Sequence, residues 1–278
     1  KKREIKSFRD NNLTGNLRFN AYKLDPEDII SVADKLHGTS FIVSNILTNK
    51  PKTIRDTIAG WFGVNVVNTV YDIIWASRKV VKNKYISPNV QHFYDSDIWG
   101  IVAQEVKNII PKGVTLYGEI VGFLPSGAAI QKCLEGVFDY GCQEFTHRSY
   151  IYRITHTDPD GHVTEYSYQQ ILDFCSRYGL NTPYMHFYGK AKDMYPELDV
   201  STHWNENLLN KLESVFMKDQ DCPLCKNTVP YEGIVISRET LYTRESFKLK
   251  TFRFLNKAET EMLDAGVSDI ETEQSLED

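Results

Sequence analysis

The sequence predicts an α+β fold. Three amphipathic helical segments alternate with short runs rich in β-branched and aromatic residues, and Gly, Pro and Asp punctuate the joints without internal repeats or a flexible linker. The chain has 278 residues, 41% of them hydrophobic and 25% charged, which is enough to bury a sizeable core.

In chain order, a helical-looking segment precedes Asp34-Lys35-Leu36-His37-Gly38-Thr39-Ser40, and the apolar run Phe41-Ile42-Val43 follows it. Asp97 caps a predicted helix through Asn108, because Ile98, Ile101, Val102, Val106 and Ile109 recur at helical spacing until Pro111-Lys112-Gly113 stops it. Val114-Thr115-Leu116-Tyr117 then reads as a strand entering Gly118-Glu119, so a sheet fixes Glu119. Ser149–Thr155 reads as extended, and Asp158-Pro159-Asp160-Gly161 as a hairpin turn.

Ser167 and Gln170 have capping-box spacing ahead of Ile171, Leu172, Cys175 and Tyr178, with Gly179 as the stop. A third helix is expected over Glu206–Lys218, a tight loop at Asp221–Cys225, and extended segments at Gly233–Ser237 and Ser246–Thr251. The folded unit is expected over residues 1–252. Residues 253–278 form a short acidic tail, partly helical and partly disordered, because no lysine or arginine follows Lys257.

Composition excludes several classes. No apolar run is long enough to span a bilayer, and Lys1-Lys2-Arg3-Glu4 lacks the apolar core of a signal peptide. Five cysteines at irregular spacing argue against a disulfide framework and fit the cytoplasm, or a host cytoplasm for a phage protein. A net charge of −5 argues against a uniformly basic coat. Local basic groups remain at Lys50, Lys52 and Arg55 and at Arg78, Lys79, Lys82 and Lys84, where a polyphosphate backbone could lie.

Cys222-Pro223-Leu224-Cys225 has the spacing with which two thiolates grip one zinc ion. A tetrahedral site needs two more ligands, for which Cys133, Cys142 and His147 are the available candidates. Two free buried thiols beside a turn is the favoured reading.

Four polar blocks occur in order along the chain: Lys35 with Leu36, His37 and Gly38; Glu119 in Tyr117-Gly118-Glu119-Ile120; Glu232 in Tyr231-Glu232-Gly233-Ile234; and Lys248 with Lys250 in Phe247-Lys248-Leu249-Lys250. Together they resemble motifs I, III, IV and V of the covalent nucleotidyltransferases, the superfamily of ATP-dependent DNA ligases, RNA ligases and mRNA-capping guanylyltransferases. The form His37-Gly38-Thr39-Ser40 looks most like the nick-sealing RNA ligases of phages and kinetoplastid RNA editing. Ala76-Ser77-Arg78-Lys79 is similar to the segment whose arginine approaches the ribose or phosphate. Tyr150-Ile151-Tyr152-Arg153-Ile154 is similar to motif IIIa, where a ring stacks on the base; Phe138 is the alternative to Tyr152 for that role.

The resemblance implies an adenylation domain of antiparallel sheets flanked by helices. It implies ATP as nucleotide, Mg²⁺ (with Mn²⁺ able to substitute), and nicked or gapped RNA with 5′-phosphate and 3′-hydroxyl ends as partner, handled by a monomer. Lys35 would attack ATP and carry AMP; Leu36, Gly38, Arg78, Glu119, Tyr152, Glu232, Lys248 and Lys250 would bind the nucleotide, and His37 would assist near the phosphates. DNA ligation or capping by the same chemistry is the second reading, and a non-catalytic RNA-binding module the third. Ligases of this kind commonly carry a duplex clamp after the fifth motif. Three options therefore stand: a longer protein, binding through this domain alone, or a clamp supplied by another protein.

The chemistry asks for the same residue types. An attacking amine must be neutral, whereas an ordinary lysine titrates near ~10.4. A neighbouring cation disfavours a second positive charge, and Lys248, Lys250 and a divalent metal are the suppliers. Two apart on a strand, Lys248 and Lys250 face the same side. Glu232, next to a glycine that permits close backbone approach, suits a hydrated Mg²⁺. Glu119 would hold the ribose hydroxyls or share the metal.

Overall fold

The structure is a computed structural model and describes residues 14–49, 53–55, 61–62, 69–77, 81–83, 96–240 and 243–259. The strands are β1 (Gly15–Asn16), β2 (Ile29–Asp34), β3 (Thr39–Asn49), β4 (Thr69–Ala76), β5 (Val81–Asn83) and β6 (Val114–Gly122). They continue with β7 (Lys132–Cys133), β8 (Gly136–Val137), β9 (His147–Thr157), β10 (Val163–Glu165), β11 (Met185–Lys190), β12 (Gly233–Glu239) and β13 (Arg244–Lys250). One sheet has the order β1-β13-β12-β2-β11, a second β10-β9-β6-β3-β4-β5, and β7 pairs with β8. The α+β expectation is met, with antiparallel pairing throughout the described registers except the parallel β1–β13 contact.

The chain divides into two compact units, and the range 1–252 spans both. One unit holds the described residues of 40–118 and 153–166, the other those of 12–39, 119–152 and 167–259.

In the first unit β3 pairs with β4 from Ile42 opposite Ala76 to Asn49 opposite Thr69. The helix Ile98–Val106 begins at Asp97, whose carboxylate accepts the Gly100 N–H at 3.0 Å and the Trp75 indole N–H at 3.2 Å. Its buried residues Ile98, Trp99, Val102, Ala103 and Val106 fall on one helical stripe. Asp158–Gly161 makes the expected hairpin turn, joining β9 to β10 with Gly161 at φ 91°.

The second unit is centred on β12, which pairs with β13 on one side and β2 on the other. Ile30, Val32, Ile234, Ile236, Phe247 and Leu249 share a core with Trp204, Leu208, Leu212 and Phe216 of the helix Trp204–Phe216. Each such side chain contributes roughly 1.5–3 kcal/mol by burial. The helix Tyr168–Tyr178 has the predicted reciprocal capping box: Ser167 and Gln170 each accept the other's backbone N–H. Gly179 ends it at φ 66°.

One expectation is corrected. The segment before Lys35 is a strand, not a helix: Ile29-Ile30-Ser31-Val32-Ala33-Asp34 forms β2, bonded along both edges by β11 and β12. Ile29, Ile30 and Val32 are β-branched and stiff at χ1, and a doubly paired strand in a buried sheet suits them.

At the other end, Phe254 is fully buried and packs with Leu36, Val121, Phe138 and Tyr140. Residues from 260 onward lie outside the described residues, as do Lys50, Lys52, Arg78, Lys79 and Lys84 of the basic region. No helix among the described residues is long and apolar enough to cross a membrane.

Candidate active site

The geometry around Lys35 and Glu232 lies within the second unit. β2 ends at Asp34, and the Lys35 N–H donates to the Gly233 carbonyl at 2.8 Å, which brings the start of the first motif beside the fourth. Lys35 Nζ lies 2.8 Å from Glu232 Oε1, and Lys250 Nζ lies 3.7 Å from the same oxygen. His37 Nδ1 is 4.0 Å from Glu232 Oε2. Glu232 is 2% exposed, so a buried carboxylate faces Lys35 and His37 from one stretch of the sequence and Lys250 from another.

His37 is held from several directions. Its ring meets the edges of Phe138 at 4.8 Å and Phe254 at 5.0 Å, and its backbone N–H donates to the Tyr140 hydroxyl at 2.6 Å. Burial pushes the Tyr140 phenol well above its ordinary range, with the Cys222 and Glu232 charges acting the same way, so the hydroxyl stays neutral. The Phe254 ring also lies 5.1 Å from Lys250 Nζ, within cation–π reach.

Gly38 donates its backbone N–H to Glu119 Oε1 at 3.2 Å and accepts from Gln131 Nε2 at 2.8 Å through its carbonyl. A Cβ at residue 38 would stand 2.2 Å from the Ile120 carbonyl oxygen, so only glycine lets this loop approach β6 so closely.

On β13, Phe247 and Leu249 enter the core while Lys248 and Lys250 share the opposite side, as the two-residue alternation predicts. Leu36 is buried in the cluster with Val121, Phe138 and Tyr150. Tyr152 lies on β9, where its carbonyl accepts from Arg244 at 2.6 Å. Phe138 is 1% exposed and wedged against His37, a core position rather than an open face for a base. Arg78 lies outside the described residues.

The structure thus brings Lys35, His37, Glu232 and Lys250 together, joins Glu119 to them through Gly38, and sets Lys248 on the face of Lys250. Sequence reasoning missed Tyr140, Phe254 and Gln131. Phe138-Asp139-Tyr140-Gly141 was the available signal for Tyr140.

The Cys222–Cys225 knuckle supports the same segment, since the Tyr140 N–H donates to Cys225 Sγ at 3.4 Å. The hydrogen bond between the two thiols holds Cys222 below and Cys225 above the ordinary thiol range, burial acting with it on Cys225. Among the described residues, the grouping of three His, Cys, Asp or Glu side chains close enough to share an ion is Asp158, Asp160 and His162, in the hairpin turn.

The donor set at Glu232 fits a hard divalent cation: a buried carboxylate supplies oxygen ligands, and such ions take one or two carboxylates together with water and phosphate oxygens. The surrounding lysines suit phosphate.

No protein-family model and no curated protein sequence matches the chain. Solved structures do. By fold, the chain is similar to an RNA ligase. An alanine mutant of Naegleria gruberi RNA ligase with AMP and Mn superposes at a TM-score of 0.52 and 15% identity, over 90% of this chain and 57% of that one. A second alanine mutant, with ATP and Mn, gives 0.52 at 13% identity, over 90% and 58%, and the enzyme with PPi 0.51 at 12%, over 90% and 57%. The chain therefore spans less than two thirds of the RNA-ligase structures it matches. The resemblance to RNA ligases read from four short sequence blocks extends to the fold.

Proposed function

We propose that the chain is an ATP-dependent RNA ligase that joins 5′-phosphate and 3′-hydroxyl ends through a lysyl-AMP on Lys35 and an adenylylated nucleic-acid end. The observation that carries this reading is the convergence of Lys35, Glu232 and Lys250, with 2.8 and 3.7 Å between the lysine nitrogens and one carboxylate oxygen. The RNA-ligase fold supports it.

In the first step Lys35 Nζ attacks the α-phosphate of ATP, a phosphorus–nitrogen bond forms, and pyrophosphate leaves in line. The ion pair with Glu232 favours the charged ammonium, which is not nucleophilic. Glu232 would hold a hydrated divalent cation, and with its charge so engaged Lys250 would be the neighbouring charge that favours the neutral Lys35 amine. That cation, Mg²⁺ or Mn²⁺, supplies positive charge to the phosphate oxygens as negative charge grows on them.

Lys248 and Lys250 stabilise the same charge from β13, and His37 assists beside Glu232. Glu119 binds the ribose hydroxyls or shares the metal, while Leu36 and Gly38 line the nucleotide, Arg78 meets its sugar or phosphate, and Tyr152 stacks on the base. AMP then passes to a 5′-phosphate, and a 3′-hydroxyl displaces it to form the phosphodiester.

Incubation with α-labelled ATP and Mg²⁺ is expected to leave acid-labile AMP on the protein, and Lys35→Ala to abolish it. No label under varied pH and metal sinks the reading, and label from GTP but not ATP favours capping. Nicks with RNA or DNA on the 3′-hydroxyl side separate the substrate classes, because the 2′-hydroxyl distinguishes them. Equal sealing of both overturns the RNA preference.

A further inference from the structure

The residues immediately before Lys35 and Glu232 also meet each other. Asp34, 6% exposed at the end of β2, accepts the Tyr231 hydroxyl on Oδ1 at 2.5 Å, and His186 Nε2 lies 2.6 Å from the same oxygen. Burial and the Asp34 charge hold the Tyr231 phenol far above its ordinary range, so it remains a donor.

His186 reaches Asp34 because β11 is irregular there. Met185 pairs with Ala33 and Phe187 with Val32, leaving His186 as the extra residue of a bulge. A bulge turns one side chain out of the alternation and re-aims it. The ring then sits edge-on to Tyr184 at 5.0 Å and Phe216 at 4.9 Å. The Asp34 N–H donates to the Tyr184 carbonyl at 2.9 Å, so this stretch grips Asp34 by both backbone and side chain.

The fold alone does not ask for this cluster. The β2–β12 ladder already sets the register, with Ile234 opposite Asp34. A carboxylate in that setting carries a desolvation cost that an apolar side chain avoids. What Asp34 adds is a side-chain tie between the chain neighbour of the lysine and the chain neighbour of the glutamate, braced by His186 from a third strand.

We propose that Asp34, Tyr231 and His186 are positioning residues that hold Lys35 in line with Glu232 for nucleotidyl transfer without touching the nucleotide. The proposal rests on the reading of Lys35 as the nucleophile. A lysine amine stands at the end of a long flexible stem, so its aim depends on how firmly the stem's base is held. A displacement of about 1 Å at a reacting group costs roughly 100-fold in rate.

The test compares two steps in the full chain. The first is single-turnover transfer of label from α-labelled ATP to the protein over a range of ATP concentrations. The second is sealing of a nick whose 5′ end is already adenylylated, where Lys35 is not the nucleophile. Tyr231→Phe and His186→Ala are expected to lower the maximal labelling rate roughly 10- to 100-fold while half-saturating ATP moves less than about 2-fold. Both variants are expected to keep most of their activity on the adenylylated nick. His186→Gln, whose amide can still donate to Asp34, recovers part of the labelling rate.

Equal loss in both steps, or unchanged labelling, overturns the positioning role. Absence of any adduct from the unsubstituted protein removes the nucleophile reading and this role together. That outcome is distinct from a labelled parent with unaffected variants.

Discussion

Glu232 carries much of the electrostatic load at residue scale, because Lys35 and Lys250 are both nearly buried and both face its Oε1. Removing one partner of a buried ion pair leaves an uncompensated charge, which costs about 3–5 kcal/mol. Glu232→Ala is therefore expected to lower unfolding stability by that amount in urea titrations, and Glu232→Gln by less, because the amide oxygen still accepts from lysine. Stability of both variants equal to that of the parent would show that the lysines do not depend on the carboxylate. At Gly38, a methyl group would stand 2.2 Å from the Ile120 carbonyl oxygen. Gly38→Ala is expected to cost roughly 1–3 kcal/mol as an overpacking change and to abolish adduct formation; a stable, labelling variant refutes the close-approach argument. Lys35, Glu119, Glu232 and Lys250 were singled out by the resemblance of four short blocks to ordered motifs, and the structure brings Lys35 and Lys250 to Glu232 with Glu119 joined through Gly38. Tyr140 and Phe254 were not legible in this way, since a buried aromatic in a turn or near the end of the folded segment reads as packing until its partner is known. Asp34 and Tyr231 stood beside the lysine and the glutamate, yet nothing local announced that they bond to each other across 197 positions.

Elements differ in how much of their structure is local. The helix Tyr168–Tyr178 was legible because its capping box, apolar stripe and terminal glycine all lie within its own sequence. β2 was misread because its identity depends on β11 and β12, more than 150 residues away in sequence. The same helix gives a pH prediction. Burial pushes the Cys175 thiol from 9 up to about 12. Below pH 9 the thiol is protonated in folded and unfolded chains alike, and its contribution to stability is fully present. Above pH 9 the unfolded thiol ionises while the folded one does not, so that contribution falls as pH rises toward 12. The loss reaches about 4 kcal/mol at roughly 1.36 kcal/mol per pH unit. Urea titrations between pH 8 and 11, in the range where ~1.36 kcal/mol per unit applies, should give a shallower decline for Cys175→Ala than for the parent. Burial raises Tyr168, Tyr188 and Tyr195 likewise, so the variant keeps a residual slope. Identical slopes would place the alkaline sensitivity in groups other than Cys175.

For the whole molecule, the proposed function turns on how charge is distributed against a polyanion. The net charge is −5, and every charged residue after Lys257 is acidic. On the proposed reading, phosphates meet Lys35, Lys248 and Lys250 while the same chain carries an anionic segment, and that segment's field opposes the approach of RNA. Such opposition is screened over a Debye length of about 10 Å at 0.1 M salt and about 3 Å at 1 M. Neutralising part of it with Glu271→Gln, Glu273→Gln and Glu277→Gln together is therefore expected to tighten RNA binding on the order of 3-fold at low salt, with the advantage gone near 1 M. Fluorescence anisotropy of a labelled nicked RNA across a salt series reads this directly. The adenylylation rate serves as the internal control, because ATP is small and on the proposed reading meets the buried lysines rather than the acidic segment. A binding advantage that persists unchanged at high salt would mean that these residues act by contact rather than by field, and a weaker-binding variant would make them part of the RNA site itself.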